Sequence, residues 1–256
     1  MARRFLLTIE YDGTDFAGWQ LQPNARSVQG VIEAAFKAIA REDVRVNAAG
    51  RTDAGVHAAG QAAHVDSDTR LSAVELCRAL NAELPSDVAV REVLSVPPGF
   101  SARRDAVSKR YVYRILNAGQ PSPLRRRQAW QLRSPLELEA MREAAGSLLG
   151  THDFAAFRGA PGGVQPEEGT RRSLDRLDIV SAPPEVRIVV EGESFLRHMV
   201  RNIVGTLVEI GQGRRPAADM ARILASGDRA LAGPTAPAHG LCLDRIRYRS
   251  LREETP

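Results

Sequence analysis

The run Ala49-Gly50-Arg51-Thr52-Asp53-Ala54-Gly55-Val56-His57-Ala58 sets three polar side chains between glycines, and Gly60 follows two residues on. Glycines at 50, 55 and 60 permit tight or positive-φ backbone, so Arg51, Thr52 and Asp53 can be presented on a sharp loop beside a sheet edge. Working outward, short strands are predicted at residues 44–46 before this loop and 61–65 after it. Upstream, Ser27 is placed to cap a helix whose apolar stripe is Val28, Val31, Ile32, Ala35, Phe36 and Ile39. Further upstream, Phe5, Leu7, Ile9 and Tyr11 alternate with Leu6, Thr8 and Glu10 until Asp12-Gly13 breaks the period, the pattern of a strand. A helix over residues 72–81 and a strand over Val88–Val96 complete the order β, α, β, β, α, β.

From Ser108 that order begins again. Lys109, Tyr111, Tyr113 and Ile115 share one face of a strand, while Arg110, Val112 and Arg114 share the other. Ser134-Pro135-Leu136-Glu137 reads as the N-cap, first-turn proline and third-position glutamate of a helix reaching Leu149, with Gly150 as its stop. Strands at 174–180 and 186–191, a helix over 195–210, a further helix over 216–225 and a strand over Leu241–Tyr248 follow. The expected fold class is α+β: two similar βαββαβ-like halves, 1–104 and 105–256, whose antiparallel sheets join around a central cleft. Residues 158–172 hold Gly159, Pro161, Gly162, Gly163, Pro166 and Gly169, so a mobile loop is expected there.

A chain of 256 residues, 43% hydrophobic and 26% charged, can bury a substantial core. No uncharged apolar run approaches the roughly 18 to 20 residues that span a bilayer, so a cytoplasmic protein without membrane contact is expected. Cys77 and Cys242 lie far apart without the spacing of a disulfide framework or a thiolate metal site. Charge is unevenly spread. Nine basic residues (Arg103, Arg104, Lys109, Arg110, Arg114, Arg125, Arg126, Arg127, Arg133) against Asp105 give a local +8 in a chain whose net charge is +4. Interleaved with Tyr111, Tyr113 and Trp130, that block resembles a phosphate-tracking surface with aromatic stacking groups.

From the residues alone, Asp53 can serve as nucleophile, general base, or structural turn residue. His57 with His64, and His152 with Asp153, match no common zinc spacing, so no metal is expected. The glycines near Asp53 fit neither the P-loop nor the dinucleotide spacing, so no bound nucleotide is expected either.

Several blocks, in order, resemble the tRNA pseudouridine synthase A family over almost the whole chain. Residues 50–58, Gly-Arg-Thr-Asp-Ala-Gly-Val-His-Ala, are similar to its active-site motif, and Tyr11-Asp12-Gly13-Thr14-Asp15-Phe16-Ala17-Gly18-Trp19-Gln20 to its N-terminal motif. Ala79-Leu80-Asn81 with Leu84-Pro85, Phe100-Ser101-Ala102-Arg103 and Lys109-Arg110-Tyr111-Val112-Tyr113-Arg114 continue the series. Gly150-Thr151-His152-Asp153-Phe154, Phe195-Leu196-Arg197-His198-Met199-Val200-Arg201-Asn202-Ile203-Val204-Gly205 and Gly240-Leu241-Cys242-Leu243 complete it, Cys242 standing where the family more often has tyrosine.

The resemblance implies the pseudouridine synthase fold and an isomerase acting on the 3′ side of the tRNA anticodon stem-loop, as a homodimer and without cofactor. It implies that Asp53 is the catalytic aspartate, that Tyr111 packs against the target uracil, that Arg201 is the basic partner of the carboxylate, and that Arg51 helps extrude and hold the RNA. Such chemistry breaks the N1–C1′ bond of uridine, turns the base and joins C5 to C1′, so a carboxylate near the sugar is apt and no redox group is needed. Attack on C1′ and removal of a sugar proton to give a glycal both remain open to Asp53. A non-catalytic RNA-binding protein and a metal-dependent hydrolase acting on RNA are the competing classes.

Overall fold

The computed structural model describes residues 2–159 and 169–249; the expected loop at 158–172 therefore lies largely outside the described residues. Strand β1 (Arg3–Tyr11) realises the alternating pattern, with Phe5, Leu7 and Ile9 fully buried. Leu6, on its other face, joins Ala49, Ala62, Val96, Phe100 and Tyr248 in a second apolar cluster. A single turn of 3-10 helix (Gly13–Asp15) follows, and then α1 (Val28–Ala40) starts where Ser27 Oγ accepts from the Gly30 amide. The next strand, β2, is only Asn47–Ala48, three residues later than expected. β3 (His57–Ser67) is longer than expected and begins inside the glycine-spaced motif.

α2 (Ala73–Glu83) opens on a complete capping box, Ser72 and Glu75 each holding the other's backbone amide. It lies against β4 (Val88–Val96), where the Asn81 amide takes up both backbone groups of Val90 at 2.7 and 2.8 Å. β1 is the middle strand, antiparallel to β3 on one side and to β4 on the other.

The chain divides into two compact units between Val107 and Ser108, within β5 (Ala106–Asn117). In the second unit, the short β6 (Trp130–Leu132) runs parallel to β5. The helix expected from Ser134 begins later, as α3 (Leu138–Gly146), and Glu137 has no side-chain cap bond. The preceding segment is tied elsewhere: the Asn117 side chain donates to Ser134 O, and the Glu137 amide donates to Gly211 O. Then come β7 (Gly150–Asp153), β8 (Arg171–Ala182) and β9 (Glu185–Gly192). The sheet order is β5-β9-β8-β7, antiparallel throughout that path.

α4 (Met199–Gly211) is buried on most sides, and α5 (Asp219–Ser226) follows. Its start corrects a sequence expectation. His198 takes a left-handed φ of 59°, so the helix excludes residues 195–198, and Arg197 lies in the turn before α4 instead of one turn below Arg201 on a shared helical face.

Finally β10 (Leu241–Tyr248) returns the chain to the first unit, which comprises Met1–Val107 and Cys242–Pro256. Cys242 and Leu243 pair in parallel with His57 and Ala58 of β3, and Tyr248 donates to Ala102 O at 2.8 Å. This grouping differs from the expected division at its last segment, because a long-range strand pairing outweighs chain order. Both units are α+β and dominated by antiparallel pairing, as expected for the fold class. No helix among the described residues is long and apolar enough to cross a membrane.

One ion pair fastens the first unit at its surface. Arg26 meets Asp87 through two bonds of 2.6 and 2.9 Å, stacks over the Phe16 ring, and holds the Asp87 carboxyl below the usual carboxylate range. A depressed folded-state value contributes stability above the unfolded value, and that contribution is lost as pH falls through the folded one. Asp87→Asn is expected to lower stability by about 0.5–1 kcal/mol near neutral pH. The difference from wild type should vanish in strong acid, as checked by urea melts across pH.

Candidate active site

The loop carrying Asp53 is held from above and below by backbone and side-chain bonds within the first unit. Above it runs the segment that follows β1. The Trp19 amide donates to Thr52 O at 3.1 Å, and the Gly55 amide to Phe16 O at 3.3 Å. Gly18 sits at φ +102°, and a Cβ there would meet Thr52 O at 2.7 Å, so only glycine permits this approach. The carbonyls of Gly18 and Trp19 in turn accept from Val28 and Gln29, the first amides of α1. These are donors a helix start cannot satisfy internally, so α1 is fastened to the segment that covers the Asp53 loop.

Below the loop lies a buried polar group. The Tyr11 hydroxyl is 2.7 Å from Thr52 Oγ1, and Gln61 Nε2 donates to Gly50 O at 2.8 Å. Burial pushes Tyr11 well above its ordinary ionisation range, so it remains a neutral hydroxyl. His57 Nδ1 accepts from the Gly13 amide at 3.1 Å, joining the first residue of β3 to the turn after β1. Within the loop, the Val56 amide closes on Asp53 O at 3.2 Å. Thr52 is thereby buried, Asp53 half-buried and Arg51 exposed.

Tyr111 and Arg201 belong to the second unit. Tyr111 lies on β5, 8% exposed, with its ring edge-on to Phe195 at 5.1 Å between centroids. Tyr113, two residues on and on the same strand face, is fully buried and donates to Pro237 O at 2.9 Å. Burial raises the Tyr113 ionisation range, and the nearby charge of Arg201 opposes that shift without cancelling it.

Arg201 is the third residue of α4, and a crossing strap at residues 232–236 fixes it. Its Nε donates to Ala236 O at 2.8 Å, and its carbonyl accepts from the Ala236 amide. The strap touches the helix at Gly205, where a Cβ would stand 1.7 Å from Pro234 O. Asn202, wholly buried, donates to Phe157 O, and its Oδ1 accepts from Thr235 and Arg229.

The structure thus places Asp53 and Arg51 on one loop of the first unit, and Tyr111 and Arg201 on β5 and α4 of the other. His152 bonds to Leu149 O and packs edge-on to Phe154, which is a structural role. Among the described residues, no three His, Cys, Asp or Glu side chains cluster as a metal site. Sequence reasoning missed Tyr11, Gln61 and Asn202 as organisers. The available signal was a polar atom at a position whose neighbours are apolar: the tip of Tyr11 on a core strand face, and an amide on the apolar side of α4.

A family model described as tRNA pseudouridine synthase matches residues 7–103 and 144–249. The chain is 48% identical to "tRNA pseudouridine synthase A" of Myxococcus xanthus, covering 96% of this chain and 92% of that one. It is 44% identical to the protein of that name from Xanthobacter autotrophicus, covering 96% and 99% of the two chains. The likeness to the Geobacter sulfurreducens protein is 45%, covering 96% and 100%.

Gly18→Ala forces a side chain into a positive-φ position against Thr52 O and is expected to destabilise the protein by about 1–3 kcal/mol. Hydrogen exchange should show the Trp19 amide losing protection before the amides of β1. A variant with wild-type stability and protection would contradict this description of the loop.

Proposed function

The chain belongs to the tRNA pseudouridine synthase A family, an isomerase family, and on that premise we propose that it converts uridine to pseudouridine on the 3′ side of the tRNA anticodon stem-loop, with Asp53 as the nucleophile. The observation that carries the reading is the fixation of Asp53: its loop is bound on one side by residues 16–19 and on the other by Tyr11 and Gln61, inside the segment the family model matches. A carboxylate so fixed needs little rearrangement to meet a sugar carbon.

The proposed reaction balances without an added reagent. The Asp53 carboxylate bonds to C1′ as the N1–C1′ bond breaks, and the bond's electrons leave with the uracil. The base turns, C5 bonds to C1′, and the carboxylate is released. The proton lost from C5 is matched by the one gained at N1, so atoms and charge are conserved. Tyr111 is assigned to pack against the uracil, its ring offering a flat apolar surface with a polar tip. Arg201 is assigned as the basic group serving the carboxylate, and Arg51, exposed next to Asp53, as the group that holds the extruded RNA. A homodimer acting in the cytoplasm is the assembly and place that fit this reading.

The target base must leave its stack before C1′ can be reached, which takes a few kcal/mol and is easier near a loop. Asp53→Asn keeps the size of the side chain and removes its charge. It is expected to lower turnover on unmodified tRNA by a factor on the order of a thousand or more, while tRNA affinity and melting temperature stay near wild type. Pseudouridine mapping in the presence of a chelator reads this out. Binding without product from the wild type would instead favour a non-catalytic RNA-binding protein, and loss of activity with the chelator a metal-dependent enzyme.

A further inference from the structure

The connection from β5 to β6 carries Pro121-Ser122-Pro123-Leu124-Arg125-Arg126-Arg127-Gln128. Leu124, at its tip, is 95% exposed, and among the described residues the next most exposed large apolar side chain, Val74, reaches only 61%. A lone exposed leucine is ordinary. This one stands on a turn closed by backbone hydrogen bonds and is followed directly by three arginines.

The Arg125 amide donates to Ser122 O at 3.1 Å, and the amides of Gln128 and Ala129 donate to Arg125 O at 2.9 and 3.0 Å. Arg126 reaches back to Pro123 O at 3.3 Å. Two prolines restrict the backbone further. The Arg125 guanidinium is anchored 2.7 Å from Glu185, a carboxylate with only 9% of its side chain exposed, which also holds Arg187. Arg126 and Arg127 are exposed, as is Leu124. The fold therefore spends no apolar burial on Leu124, yet fixes the backbone that presents it.

We propose that this turn is an RNA-binding wedge, resting on the reading above that tRNA is the substrate. Leu124 packs against unstacked bases, Arg126 and Arg127 meet the flanking phosphates, and the Arg125–Glu185 pair holds the turn in its binding shape. Apolar wedges inserted at base steps and cations on the backbone are paired devices in nucleic-acid recognition. A protein partner would need to match an apolar contact ringed by arginines with carboxylates, whereas RNA offers both bases and phosphates at the spacing of neighbouring residues. Because the turn is already ordered, binding loses less conformational freedom than it would with a loose loop.

Leu124→Ala and Arg126→Gln test the wedge, and neither change disturbs a buried atom. Leu124→Ala is expected to weaken binding of unmodified tRNA about three- to tenfold with little change in salt dependence, since it removes an apolar contact and no charge. Arg126→Gln should reduce the slope of log Kd against log salt by about one. In steady-state assays both variants should raise KM for tRNA more than they lower kcat, a split that a merely structural role for the turn would not give. If wild type forms pseudouridine while both variants match its Kd and salt slope, the wedge is overturned and the enzymatic reading stands. Unchanged RNA binding with altered self-association in sedimentation would also overturn it, and would assign the turn to contact with a second copy. A wild type that neither binds nor converts tRNA overturns both readings.

Discussion

The hydrogen bond from the Trp19 amide to Thr52 O is the point on which the first unit's site depends. Such a bond contributes only about 1 kcal/mol net, and its weight comes from what it connects. On one side is α1, whose buried stripe of Val28, Ile32, Ala35 and Phe36 fixes the helix, and whose first amides grip Gly18 and Trp19. On the other side is the Asp53 loop. Packing of an apolar helix is thereby converted into the position of one carboxylate. Gly18 is the condition for it, since any side chain would hold the two backbones apart.

The second unit solves a similar problem with a similar device. Arg201 is a long, flexible side chain near the start of a largely apolar helix. The strap at 232–236 immobilises it through paired bonds to Ala236, and the strap itself is secured on Asn202, Thr206 and Arg229. Gly205 admits the strap as Gly18 admits the cover over the Asp53 loop. In both places buried polar side chains are held by hydrogen bonds, the condition under which such groups sharpen a structure instead of weakening it.

Local signals in the sequence were reliable where local physics decides the outcome. The alternation from Phe5 to Tyr11 and the Ser27 cap both name their elements because each depends on neighbours within a few residues. The Ser134-Pro135-Leu136-Glu137 run had the same local credentials and did not form a cap, because Asn117 and Gly211, distant in sequence, claim its backbone. Likewise Arg197 shares a helical period with Arg201 on paper, but the left-handed turn at His198 intervenes. The membership of β10 in the first unit rests on its pairing with His57 and Ala58, a contact no periodicity reports. At the site, Arg51 and Asp53 were legible because glycines announce an exposed polar loop. Tyr11 shows in the sequence only as the last member of an alternating strand, since such a pattern records which face a side chain takes and is silent on what its hydroxyl meets.

On the proposal that Asp53 attacks the sugar, the buried pair of Tyr11 and Thr52 sets the position from which it does so. The direct measurement is kcat and KM for pseudouridine formation by Tyr11→Phe, which keeps the ring and deletes the hydroxyl 2.7 Å from Thr52 Oγ1. Small displacements of a reacting group lower rates steeply, so kcat is predicted to fall about ten- to a hundredfold while KM for tRNA stays close to wild type. Wild-type kcat in a folded Tyr11→Phe protein would contradict the account.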